Sequence, residues 1–179
     1  MSEVNQLILL AEYNQLMNKR QYAAAANLSK VQIGEDKGAF FKSVLGTLNH
    51  ILVGDIIWLK RFAEQPSSIE SLSYIREMEK PGKLNSVLFT DMDSLQETRE
   101  KIDEAIINWI GGLGADDLDE CITYTNMAGD SFSQPFVNLI HHVFLHQVHH
   151  RGQVTTLLSQ YGVDFGETDL IEIINECGT

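Results

Sequence analysis

Residues 141–153 read HHVFLHQVHHRGQ and hold five of the chain's six histidines: His141, His142, His146, His149 and His150. The sixth, His50, stands alone far upstream. A neutral imidazole is a ligand for transition-metal ions. Two of them four residues apart on a helix share one face, about one turn apart. At about 100° per residue, His150 and His142 fall about 40° to either side of His146. These three form one ridge, with His149 on its flank and His141 turned away. Spacing therefore offers two ligand pairs, His142/His146 and His146/His150. A third imidazole from another helix would complete a facial set and leave open positions for water or substrate. His50 is the histidine outside the cluster that can supply it. The plainer reading is a row of rings paired with acidic residues. It leaves unexplained why a helix rich in Leu, Ile, Val and Phe would gather titratable groups that are costly to bury charged. A metal ion holds such rings neutral.

Other chemistries find less support. His146 is followed by Gln147, so the HExxH pattern with its glutamate base is missing. There is no P-loop, no GxGxxG after a strand, and no serine-nucleophile elbow.

The elements that must position the rings follow from periodicity. Val4, Leu7, Ile8 and Ala11 recur at helical spacing, and the alanines at 23–26 favour helix; a first helix is expected over Val4–Leu28. A connection with a turn near Asp36 follows. A second helix is expected over Gly38–Ala63, with Phe41, Val44, Leu45, Leu48, Leu52, Ile56 and Leu59 as its buried stripe. His50 lies near its middle, and Gly54, four residues on, would leave room beside it. The segment 65–85 is a long connection with a helical piece at 69–79. Thr90 is the expected cap of a third helix ended by Gly111-Gly112. Cys121–Thr125, a turn at Ala128-Gly129-Asp130 and Ser131–Ser133 suggest a small hairpin. Pro135 suits the first turn of a fourth long helix running to Gln160. A short last helix is expected over Thr168–Glu176, capped by Thr168. The fold class is therefore all-α: one domain over 1–179, an up-down-down-up four-helix bundle with a β-hairpin in the crossover before the last long helix.

Composition bounds the function. Hydrophobic residues make up 44% and charged residues 21% of the 179, as in a folded domain with a real core. The formal net charge of −12 argues against nucleic acid and against an anionic membrane surface. No run of 18 apolar residues occurs, and the N-terminus lacks the pattern of a secretory signal. Cys121 and Cys177 form no CxxC pattern and suit a reducing compartment, so a cytoplasmic protein is expected.

Two segments resemble a known family. HQVHHRGQVTTLLSQYG is similar to the last-helix signature of the DinB/YfiT-like metalloenzymes, and LNHILVGDIIWLKRF to their second-helix signature. The order is the family's, and the likeness covers essentially the whole chain. The resemblance implies a four-helix bundle holding one divalent metal ion, nickel or zinc, on His50, His146 and His150. His142 then supports these ligands or replaces one. Members with known chemistry move low-molecular-weight thiols onto electrophiles, so the expected function is thiol transfer or a related metal-assisted addition or hydrolysis on a small-molecule substrate. A non-catalytic metal-binding bundle of the stress response is the alternative. The family also implies a homodimer, for which Leu9 and Leu10 offer apolar surface.

The remaining assignments are residue by residue. Arg151 is the candidate for holding an anionic substrate, its commoner role being a salt bridge to a neighbouring helix. Gln153 is expected to bond a ligand imidazole or a loop carbonyl. Asp55 either orients a ring or pairs with Lys60, Arg61 or another helix. Gly152 is expected to allow close helix packing. Trp58 and Trp109 are expected in the core and Cys121 in a structural role; Tyr124 and Tyr161 could donate near a pocket mouth, but nothing in the sequence fixes them there.

Overall fold

A computed structural model describes residues 2–126 and 128–174. Four long helices dominate it: α1 (Glu3–Ala25), α3 (Val44–Phe62), α5 (Met92–Gly111) and α7 (Phe136–Ser159). Between them lie the short helices α2 (Lys30–Gly34), α4 (Ser73–Glu77) and α6 (Ala115–Leu118), and the strands β1 (Cys121–Thr125) and β2 (Ser131–Pro135). Each of the first three long helices starts at a side-chain cap. Ser2, Ser43 and Asp91 accept from the backbone N–H of Asn5, Gly46 and Ser94. Such a cap stabilises a helix start by roughly 1 kcal/mol.

Side-chain contacts fix the directions. Along α3 and α7, His50 meets His150, Trp58 meets His142 and Phe62 meets Phe136, so the two helices are antiparallel. Asn18 bonds Asp103, and Tyr22 lines a cleft with Arg99, so α1 and α5 are antiparallel. Asp55 pairs with Arg99, and Phe62 stacks on Trp109, so α3 and α5 are parallel. The result is the expected up-down-down-up bundle. The core is built from Leu48, Leu52, Ile56 and Leu59 of α3, all without exposed surface, and from apolar residues of the other three helices. One end is closed by Phe62, Trp109 and Phe136, with ring centroids 5.3–6.0 Å apart.

The expected hairpin is present and pairs antiparallel from Cys121↔Pro135 to Thr125↔Ser131. The differences are local. The second long helix begins at Val44 rather than Gly38. Gly38 and Lys42 have positive φ (76° and 70°), and the Lys42 N–H donates to the Ala39 carbonyl at 2.8 Å, so this segment folds into a tight turn and Ser43 restarts the helix. Asp91, not Thr90, caps the third. Pro135 ends β2 and stands just before α7. The first helix stops at Ala25, and Ser29 with Gln32 forms a capping box that starts α2 inside the expected connection. Near the C-terminus, Leu170–Ile173 forms a 3-10 turn with no side-chain cap, and the carbonyl of Thr168 accepts from the Tyr13 hydroxyl. The rest of the expected last helix, with Cys177, lies outside the described residues. Leu9 and Leu10 are half-buried, Leu10 against the core. No helix among the described residues is long and apolar enough to cross a membrane.

Candidate metal centre

α3 and α7 bring His50, His146 and His150 together. The His50 Nε2 lies 3.2 Å from the His146 Nε2 and 3.1 Å from the His150 Nε2. Among the described residues this is the one group of three or more metal-ligating side chains. The other face of each ring explains the arrangement. The His50 Nδ1 is 2.8 Å from the Leu84 carbonyl, which can only accept, so Nδ1 carries the proton and Nε2 is bare. The His150 Nδ1 donates in the same way to the Gln153 Oε1 at 2.9 Å, while the Gln153 amide nitrogen is 3.2 Å from the His149 Nε2.

The bare lone pairs of His50 and His150, facing one another at 3.1 Å, repel unless a cation stands between them, and His146 completes the set in the tautomer that leaves its Nε2 bare. A doubly protonated His50 or His150 is the alternative, and the site disfavours it. Burial lowers the pKa of all three rings below the ordinary 6.5, that of His146 to about 3 with the neighbouring rings adding to the effect. Nitrogens bonded to zinc at about 2.0–2.1 Å lie roughly 2.9–3.4 Å apart for facial or tetrahedral angles. The donor set and its spacing therefore fit one divalent ion.

Three further features hold the rings. The Phe41 ring stacks on His50 with centroids 3.7 Å apart and planes 13° apart, placed there by the turn at Ala39–Lys42. Asn49 is buried; its amide nitrogen donates to Leu45 and Phe89 carbonyls and its oxygen accepts from the Leu88 and Phe89 N–H groups. It pins the loop that carries the Leu84 carbonyl. Gly54 faces His146, and a Cβ there would sit 2.7 Å from the His146 Cε1.

Behind the site, a buried polar network ties all four long helices together. Arg99 pairs with Asp55 and, at 2.9 Å, with Asp103; Asp103 accepts from Asn18; Asp55 accepts from Gln147. Asp55 thus pairs with another helix, and its neighbour Gly54 faces the site. Burial pushes the Asp55 carboxyl up to about 6, against the lowering pull of Arg99.

The rings open onto a cavity of about 700 Å³. His142 lines it, its ring 5.2 Å from Trp58 and 6.2 Å from His146, outside the triad. Trp58 is half-buried against the core and also forms part of this wall, whereas Trp109 is buried and donates to Ser68. Arg151 is turned away. It is buried against α1, donates to Asn14 at 2.7 Å and lies over the Tyr13 ring, so it does not line the cavity, and its partner is an amide rather than a carboxylate. Its place on the wall is taken by Arg61, whose guanidinium lies 4.4 Å from the Trp58 ring and 4.7 Å from the Tyr124 ring. Tyr161 bonds Gln32 and Glu35 elsewhere. Cys121 is exposed and does not line the cavity. Gly152 has open space around it, so packing does not require it. Sequence reasoning missed Phe41, Asn49, Leu84 and Arg61. The first three act across a loop whose path no periodicity predicts; Arg61 was readable as eleven residues, three helical turns, beyond His50.

The family model described as "DinB family" matches residues 1–175. The chain is also 21% identical to Protein DinB of Bacillus subtilis (strain 168) over 160 residues, 89% of this chain and 88% of that protein. With a model matched over nearly its whole length and the histidine triad of the two similar signatures gathered at one point, this chain belongs to the DinB family.

Proposed function

We propose that this chain is a divalent-metal enzyme in which His50, His146 and His150 hold one zinc or nickel ion and a small-molecule thiol, or water, is the nucleophile. The observation that carries the reading is three Nε2 atoms, those of His50 and His150 bare, converging at the wall of an open, substrate-sized cavity. When bound there, such an ion supplies Lewis acidity and lowers the pKa of a thiol or water toward neutrality.

The chain's own residues do the rest. The Leu84 carbonyl and Gln153 hold the Nδ1 protons of His50 and His150 and so keep each Nε2 bare and aimed. Phe41 covers one face of His50 and keeps water off it. No aspartate or glutamate lines the cavity among the described residues, so no carboxylate there competes for the ion or serves as base. His142 is on the wall, and burial lowers its pKa, so its ring is neutral at pH 7 and can take a proton at a ring nitrogen. The volume suits a small molecule, since ligand pockets span about 300–1,000 Å³.

The test is turnover. Zinc- or nickel-loaded protein is assayed with a panel of low-molecular-weight thiols and a chromogenic electrophile, beside His146→Ala. Metal-dependent thiol consumption that His146→Ala abolishes supports the reading. One bound ion with no turnover across the panel supports the non-catalytic metal-binding alternative.

A further inference from the structure

The cavity is chemically polarised. On α3, His50, Gly54, Trp58 and Arg61 recur at helical spacing and all face it. They give it a ligand end, an aromatic middle and a cationic end. Arg61 is the only formally charged lining residue among those described. That is unexpected in a chain with 25 acidic residues against 13 basic. Nor does any described carboxylate form an ion pair with the Arg61 guanidinium, whereas six ion pairs form elsewhere among the described residues.

The guanidinium is held all the same. It lies over Trp58 and Tyr124, and one N–H donates to the Thr125 carbonyl at 3.1 Å, which ties it to the hairpin. One backbone carbonyl satisfies one of five donors. Partial burial pulls its pKa down from the ordinary value, with Tyr124 and Glu64 pulling it back up. A fixed, half-buried cation with spare donors and no paired carboxylate is what a carboxylate-binding residue requires, because its planar fork binds a carboxylate bidentately.

We propose that Arg61 anchors a carboxylate of the substrate at the end of the cavity remote from the three histidines. This rests on the reading of that cavity as the substrate site. Eleven residues of helix separate the backbones of His50 and Arg61 by about 16 Å. Both side chains lean toward the N-terminal end of α3, and the longer Arg61 reaches back over Trp58, 4.4 Å from its ring, which shortens the span. The ligand class is therefore an elongated organic acid: a reacting group at one end, an apolar or aromatic middle that Trp58 covers, and a carboxylate roughly a tripeptide's length away, about 10 Å. Arg61 is a specificity-determining residue in this account.

The experiment uses ω-mercaptoalkanoates of increasing length and their amides, titrated calorimetrically into zinc-loaded wild type, Arg61→Gln, Arg61→Met and Arg61→Lys, each checked for zinc content and helicity. Wild type should prefer the carboxylate over its amide by tenfold or more, most strongly for the longer chains, which cannot chelate the ion through both ends. The preference should vanish in Arg61→Gln and in Arg61→Met, which keeps the apolar stem, and be partly retained in Arg61→Lys. An equal preference in wild type and Arg61→Met, or none in wild type, overturns the proposal even if one zinc is bound. If the protein binds no zinc but Arg61 still decides the carboxylate preference, the anion site stands and the metal reading fails.

Discussion

The ring of His146 lies so close over Gly54 that a methyl group built on that glycine would stand 2.7 Å from the His146 Cε1. Gly54 sits inside α3, where glycine is about 1 kcal/mol less favourable than alanine. The missing side chain is therefore spent on the ring's position. Gly54→Ala should keep or raise helix stability while pushing His146 out of line. Chelator competition should show zinc affinity reduced tenfold or more with melting temperature unchanged or higher. Equal affinity would mean the ring does not need that space.

Gln153 holds the His150 Nδ1 proton at 2.9 Å and reaches back to His149. Supports of this kind typically contribute 10–100-fold to metal affinity. Gln153→Ala should lose affinity in that range with stoichiometry still one per chain. Asn49→Ala should act on the same ligand set at a distance, by freeing the loop that carries the Leu84 carbonyl, and should also raise amide exchange at Leu88 and Phe89.

Much of this was legible in the sequence. The four long helices, the hairpin and the pairing of His50 with His146 and His150 followed from helical periodicity, turn residues and two family-like segments, because these signals are local. What escaped was non-local. Lys42 takes a positive φ that nothing in its type announces, and that turn brings Phe41 onto His50. The connection 65–85 reads as filler, yet its end delivers the carbonyl that sets a ring's tautomer. Arg151, one residue after His150, looks like a site residue in one dimension, but one residue is about 100° of helix, enough to face α1 instead.

Arg99 is 2% exposed and stands between Asp55 and Asp103. Arg99→Met would leave two buried carboxyls without their cation. Removing one partner of a buried pair costs about 3–5 kcal/mol. Urea unfolding should show a loss of that order; a change under 1 kcal/mol would indicate that the carboxyls are already neutral and need no partner.

Acidity offers an independent check. In the metal-free chain the pKa values of His50, His146 and His150 are lowered by burial, His146 to about 3. Unfolded histidines titrate near 6.5, so this contribution to stability is present above pH 6.5 and is lost as pH falls toward the folded values. Asp55 works in the opposite direction, its raised pKa contributing stability that is lost as pH rises toward about 6. For metal binding, neutral rings mean few protons to displace. At pH 6.0, three ordinary histidines would release about two protons on zinc binding. Calorimetry in buffers of different ionisation enthalpy should find clearly fewer; release of two or more would contradict the lowered values.

The central claim is tested most directly by metal content and affinity of untagged protein, wild type against His50→Ala. Wild type should hold one divalent ion per chain, and His50→Ala, drawn from the other helix and far from the cluster in sequence, should lose it or bind at least a hundredfold more weakly. Equal occupancy and equal affinity in the two proteins would show that the convergence of His50 with His146 and His150 is not a metal site.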